Sequence, residues 1–160
     1  MYFSFLVDCD HLLGLQMTSE SIVYNGFVDG ASHHTLNLAF AAWVIYEPPD
    51  QLLSSGSTCL GPSTNNIAEY SVIIKLLLDA ISPGIQHLVV RLDSQLAMLQ
   101  LNGQYWVRDS FIPRKYLRVK LLERQFQFIT YVHIPRSENR LADSLANFAL
   151  DWHITHFPSR

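Results

Sequence analysis

Cysteine is scarce in this chain: Cys9 and Cys59 are the only two among 160 residues. One pair makes no disulfide framework, and neither cysteine stands at a metal-ligand spacing, so both are expected to be reduced thiols. Long hydrophobic runs are also missing. No stretch approaches the roughly 20 apolar residues that a bilayer-spanning helix needs. The first ten residues lack a basic stretch and carry Asp8 and Asp10, which argues against a secretory signal and for an intracellular protein, in cytoplasm or nucleus. Charge is thin as well, at 16% of residues with a net of −3, so the chain as a whole has no electrostatic pull on nucleic acid. Repeats and low-complexity tracts are absent.

What is present describes one ordinary globular domain, with 49% apolar residues in a length that supports a single core. The basic residues are not spread evenly. Eight of the 11 fall between Arg108 and Arg140 (Arg108, Arg114, Lys115, Arg118, Lys120, Arg124, Arg136, Arg140), against Asp109, Glu123 and Glu138. A basic patch on a mildly acidic protein is therefore expected.

Residues 1–20 show no clean period and read as a leader of the kind an upstream linker leaves, ahead of a domain over 21–154 and a short tail over 155–160. Strands are expected over Ile22–Val28, ending at Asp29-Gly30, then over Phe40–Tyr46 and Gln51–Leu60. A helix starting at Asn65 or Asn66, one of them its N-cap, runs to Ile81 before Ser82-Pro83-Gly84. His87–Asp93 reads as an interior strand, Ser94–Leu101 as a helix, Ile112–Gln127 as a basic amphipathic helix beside Tyr105 and Trp106, and Phe128–Ile134 as a fifth strand. The last helix spans Asn139–Trp152, with Leu141, Leu145, Phe148 and Trp152 as its core stripe. Three consecutive strands followed by alternation predict an α/β fold: a five-stranded mixed sheet, its first three strands antiparallel, with helices on both faces.

Glu69 is the informative residue in that layout. It lies about one turn into a nearly all-apolar helix, on the face of Ile73, Leu76 and Ala80, where an ionised carboxylate is costly unless a positive charge meets it. Asp29 and Asp93 are placed at strand ends and Asp143 near the start of the last helix, pointing away from the core stripe. Ligands of open α/β sheets gather outside the carboxyl ends of strands. Taken singly, each acid is equally a turn former or a helix-dipole partner. Brought together they would repel without a divalent cation, and hard oxygen donors suit Mg²⁺ or Mn²⁺. Two such ions about 4 Å apart activate water and stabilise the leaving oxygen of a phosphodiester.

Four segments carry a family resemblance: Phe-Val-Asp29-Gly-Ala-Ser, Thr-Asn-Asn-Ile-Ala-Glu69-Tyr, Leu-Asp93-Ser-Gln, and His-Ile-Pro-Arg-Ser-Glu-Asn-Arg-Leu-Ala-Asp143-Ser-Leu-Ala. Over about Ile22–His153 they resemble the blocks of type 1 ribonuclease H, closest to the archaeal-like, reverse-transcriptase-associated branch of plant long-terminal-repeat retrotransposons. The resemblance implies endonucleolytic hydrolysis of the RNA strand of RNA–DNA hybrids by two metal ions, Mg²⁺ or Mn²⁺, held by Asp29, Glu69, Asp93 and Asp143. It also implies substrate contacts from Gly30, Ala31, Ser32, Asn65, Asn66, Ser94, Gln95 and Arg136. Asparagine amides can donate to and accept from 2′-hydroxyls, although helix capping is the plainer role for the pair. Ser94 and Gln95 suit a phosphate or an ordinary N-cap equally. Arg136 stands where many cellular members carry a histidine; it can hold a phosphate but cannot shuttle a proton near neutral pH. A monomeric domain is implied, either alone or inside a larger reverse-transcriptase polyprotein, with no membrane partner.

One departure works against full activity. Where the family usually has a glycine-rich turn, this chain reads His33-His34-Thr35-Leu36-Asn37-Leu38-Ala39-Phe40, with Asn37 the residue best able to take a left-handed turn. The competing expectation is a catalytically weakened or inactive nucleic-acid- or protein-binding module derived from a retroelement. A DNA-directed nuclease of the same fold is a third, against which the Asn65-Asn66 pair argues.

Overall fold

The computed structural model describes residues 21–33, 35–108 and 112–157. The leader read over residues 1–20 lies outside these. Five strands form one sheet in the order β3-β2-β1-β4-β5: β1 Tyr24–His33, β2 Leu38–Glu47, β3 Gln51–Gly61, β4 His87–Leu92 and β5 Phe128–His133. The first three strands pair antiparallel, while β4 joins β1 and β5 joins β4 in parallel. The mixed sheet expected from the sequence is thus the one observed.

Four helices cover it: α1 Asn65–Ile81, α2 Gln95–Leu101, α3 Ile112–Glu123 and α4 Arg140–His156. Helix α1 lies on one face, where Val28, Leu88, Val90 and Leu92 meet Ile73, Leu76 and Leu77 in the main core. The other face takes α4, which packs across β1, β2 and β3. Val72, Ile73, Leu76 and Leu77 of α1 are fully buried. Each such side chain stabilises the fold by roughly 1.5–3 kcal/mol, enough together to carry one awkward carboxylate into the interior.

The structure corrects several boundaries. Strand β1 does not stop at Asp29 but continues to His33, opposite Leu38 of β2. The glycine-poor turn therefore lies at the far tip of the hairpin, several residues beyond Asp29, and Asn37 supplies its left-handed residue at φ 48°. Helix α1 is capped by Thr64, not by an asparagine: Thr64 is extended, and its hydroxyl accepts from the Ile67 amide. Helix α3 ends at Glu123, because the chain then turns to bury Phe126. Helix α4 runs through His156, two residues into the segment read as tail. Its core stripe also differs. Ala142 and Ala146 are buried, while Leu141, Phe148 and Trp152 are 42%, 64% and 49% exposed. Small residues let α4 approach the sheet closely, and the large apolar ones are left on its outer side.

Candidate active site

The site forms where the parallel β1/β4 ladder ends. Its last pair is Val28 with Leu92, so Asp29 and Asp93 are the next residues on two neighbouring strands. Beyond that pair β1 keeps pairing only with β2, and a crevice opens. The last carbonyls do not go unpaired: the Ile134 amide donates to Leu92 O at 2.9 Å, and Asn139 Nδ2 donates to Val28 O at 2.7 Å.

Helix α1 delivers Glu69 to the same crevice. This close approach depends on Gly30, since a Cβ there would lie 2.8 Å from the Ala68 carbonyl carbon and from the Glu69 nitrogen. Asp29, Glu69 and Asp93 each offer a carboxylate oxygen to a cluster whose members all lie within 4.8 Å of one another. Asp29 and Glu69 are buried and Asp93 half-buried. Glu69 Oε2 is buried without a hydrogen-bond partner, and an orphaned carboxylate oxygen inside a protein calls for a cation or a donor.

The electrostatics agree. Burial, then the charges of Asp93 and Asp143, push Asp29 up from 3.8 to about 6, with Arg136 pulling the other way. Burial first, then Asp93 and Asp29, raises Glu69 well above the ordinary glutamate value, against a lowering hydrogen bond from the Gly30 backbone. Carboxylates that lift one another in this way suit a divalent cation, which removes the repulsion.

Asp143 is adjacent but engaged elsewhere. Arg136 donates to its Oδ1 from Nη2 at 2.6 Å and from Nε at 3.1 Å, and Asn147 Nδ2 lies 3.4 Å from Oδ2. Three of the four acids singled out in the sequence therefore converge on one point. The fourth is tied to the arginine that was assigned to substrate.

The other candidates occupy distinct places. Ala31 continues β1 opposite Phe40. Asn65 and Asn66 are the exposed first residues of α1 and line a groove of about 740 Å³ with Ser32, Asn37 and Thr64. Asn65 Oδ1 accepts from the Ser32 amide at 3.0 Å and from the Ser32 hydroxyl. Ser94 caps α2, its hydroxyl accepting from the Ala97 amide at 3.3 Å, and Gln95 is exposed beside it. Of the basic helix, Lys120 is committed internally, to Leu101 O and to Glu123, which leaves Arg114, Lys115 and Arg118 as its cations for an outside partner. Asn139 was missed as a site residue: in the sequence it reads only as the start of a helix. A polar residue just ahead of Asp143 that makes no cap is a signal visible only once its partner on β1 is known. Among the described residues, no helix is long and apolar enough to cross a membrane.

Comparison with known proteins places the same residues in a family context. The reverse transcriptase-like family profile matches residues 27–149. The chain is 35% identical over 127 residues to ribonuclease HI of Halobacterium salinarum, an alignment covering 79% of this chain and 64% of the relative. It is 36% identical over 100 residues to a bifunctional protein of Mycobacterium tuberculosis, covering 62% of this chain and 28% of that one. The chain thus spans about two thirds of the first and little more than a quarter of the second. Among solved structures, RNase H1 from the same Halobacterium superposes with a TM-score of 0.77 at 35% identity, covering 80% of this chain and 97% of that one. LC11-RNase H1 in complex with an RNA/DNA hybrid gives 0.77 at 29% identity, covering 82% and 99%.

Proposed function

Because the chain belongs to the reverse transcriptase-like family, with the ribonuclease H fold, we propose that it is a metal-dependent endonuclease that cuts the RNA strand of RNA–DNA hybrids. The observation that carries this reading is the convergence of Asp29, Glu69 and Asp93 around an orphaned Glu69 oxygen. Clustered hard oxygen donors with raised proton affinities fit Mg²⁺ or Mn²⁺, and Asp143, once released from Arg136, would add a fourth carboxylate able to hold a second ion. When bound, such ions supply charge neutralisation and an acidified water.

The protein's own groups do the rest. Asp29 on β1 and Asp93 just past the end of neighbouring β4 would hold the reacting phosphate's surroundings rigid. Glu69 follows Asn65 and Asn66 by about one turn of the same helix, and those amides are where an RNA 2′-hydroxyl would be recognised. Arg136 is exposed and can exchange its carboxylate partner for a phosphate, binding it in the planar two-point manner of a guanidinium. The cations of α3, a helix packed against α1, would take phosphates of the DNA strand, which contribute affinity but no sequence information. Hybrid complexed with a similar RNase H1 supports the choice of substrate.

The test is cleavage of an end-labelled RNA–DNA hybrid in Mg²⁺ and in Mn²⁺, with an all-DNA duplex as control. Cutting confined to the RNA strand and abolished by Asp93→Asn is expected. A folded wild-type domain that cuts no hybrid in either metal overturns the proposal. Hybrid binding without cutting would instead assign a catalytically silent binding module, a reading favoured by the Arg136–Asp143 pair, which occupies the fourth acid.

A further inference from the structure

A second concavity lies on the sheet face that carries α4, under the start of that helix. Its volume is about 620 Å³, within the roughly 300–1,000 Å³ range of small-molecule pockets. Its floor comes from β1 and β4, where Phe27 and Arg91 are paired in register. The first turn of α4 forms the roof, and Tyr46 of β2 closes one side.

Arg91 is half-buried, with its guanidinium carbon 5.9 Å from the Phe27 ring centre. Its Nε donates to Asn25 Oδ1 at 3.1 Å. Neither terminal nitrogen of Arg91 has a protein acceptor, and no carboxylate pairs with it, among the described residues. Arg140 faces the same space with its Nε bound to Ser137 O at 3.0 Å and its terminal nitrogens likewise unused. The roof adds more donors. Asn139 makes no side-chain cap: its Nδ2 donates to Val28 O, and its Oδ1 accepts from no group among the described residues. The amides of Arg140, Leu141 and Ala142 therefore precede the first hydrogen bond of the helix, which runs from Asp143 N to Asn139 O. Two guanidiniums and an uncapped helix start thus line one cavity.

The walls choose between possible anions. Phe27 and Tyr46 meet edge-to-face, with ring centroids 5.7 Å apart at 89°, and buried Ile134 lines the same cavity. A flat ring extends such a pair favourably. At the rim, Asp50 and Glu138 are exposed and balance the two arginines in formal charge. A cavity with no net positive charge does not gather a polyphosphate strand. It suits a small ligand with one anionic group placed deep, on Arg91.

We propose that this cavity is a binding site, separate from the acid cluster, for a planar ring bearing a single carboxylate or phosphate monoester. The ring stacks against Phe27 and Tyr46, and the anionic group takes the free nitrogens of Arg91 and Arg140.

The test uses the whole chain in EDTA, so that no divalent ion can hold a phosphate at the acid cluster. Adenosine 5′-monophosphate and benzoate are titrated by NMR, with inorganic phosphate, acetate and adenosine as probes lacking either ring or charge. Saturable shifts at Phe27 and Tyr46 are expected for at least one ring-bearing anion, which also identifies the anionic group. Binding at least tenfold weaker is expected for every probe lacking ring or charge. Arg91→Met should weaken binding by roughly 30-fold, the loss of a desolvated charged contact. Arg140→Met, at the exposed rim and without risk to folding, should weaken it less but measurably. No shift with any ring-bearing anion, equal binding of the simple anions, or unchanged affinity in both variants overturns the proposal. Hybrid cleavage is measured separately, so failure here does not touch the nuclease reading.

Discussion

Asn139 donates its side-chain amide to the main-chain carbonyl of Val28 at 2.7 Å, joining the start of α4 to the residue before Asp29 across 111 positions of sequence. Asn139 is 1% exposed. The bond holds two parts of the site in register: Asp29 is one residue past the acceptor, and Asp143 is one turn past the donor. Asn139→Ala should cost about 1–3 kcal/mol, the usual loss when a buried carbonyl is left unpaired. It should also lower the cleavage rate more than hybrid affinity, because the acids lose alignment while the groove stays intact. Urea unfolding and single-turnover cleavage check the two halves. Wild-type turnover in a variant with lowered stability would show that the bond only supports the fold.

Gly30 sets the distance between β1 and α1. Gly30→Ala places a methyl group 2.8 Å from main-chain atoms of Ala68 and Glu69, which cannot rotate away. Destabilisation of about 1–3 kcal/mol is expected, together with loss of Mg²⁺-dependent activity as Glu69 is pushed from its partners. Thermal unfolding and metal titration of the variant are the measurements. A stable variant with normal metal response would contradict the close approach.

In the absence of metal, ionising the cluster works against the fold. Asp29 is raised from 3.8 to about 6, so the stability that its protonated form contributes is complete below pH 3.8 and is lost as pH climbs through 6. Asp29→Asn cannot ionise. At pH 7 in EDTA it should exceed wild type in stability by roughly 1–3 kcal/mol, and the difference should vanish near pH 3.8. Added Mg²⁺ should close or reverse the gap, since binding to the folded state alone stabilises wild type by about 2.7 kcal/mol at a hundredfold excess over Kd. Parallel pH–stability curves with and without Mg²⁺ decide it; coincident curves for the two proteins would refute the coupling.

Arg136 and Asp143 form an exposed pair, and such pairs contribute about 0–1 kcal/mol. Arg136→Ala should therefore leave the melting temperature nearly unchanged. If the guanidinium exchanges Asp143 for a phosphate during turnover, the variant should cut hybrid more slowly, by about tenfold, and lose part of its salt dependence. Unaltered kinetics at all ionic strengths would leave the pair with no part in the reaction.

Much of this site could be read in the chain because local chemistry marks it. Glu69 on an apolar helix face breaks a simple burial rule, and Asp29 and Asp93, ordinary strand-end acids taken singly, gain meaning only when set beside it. Other features depend on tertiary pairing and leave no local trace. Gly30-Ala31-Ser32 has the composition of a turn, yet β2 reaches His33 and extends the strand through it. Thr64 displaced the asparagines as cap because the cap is set by where the chain turns into α1, and Thr64 is the extended residue. In α4 the large apolar residues looked like the core face, but the close approach of helix and sheet admits only Ala142 and Ala146. The Asn139–Val28 bond and the cavity beside it bring together residues from opposite ends of the chain.

Asn65 holds one more consequence. Its side-chain oxygen is bound to Ser32, whose backbone N–H can only donate, so the amide has a fixed direction and turns its NH₂ outward. The position is a one-way reader: it can greet an oxygen but can offer none. A strand bearing hydroxyl oxygens in the groove meets a complementary surface there, whereas one bearing only hydrogens at the same place meets an unanswered donor. If the groove takes a hybrid as proposed, discrimination against the wrong sugar is set by the hairpin that fixes Ser32, ahead of any contact made by the chemistry.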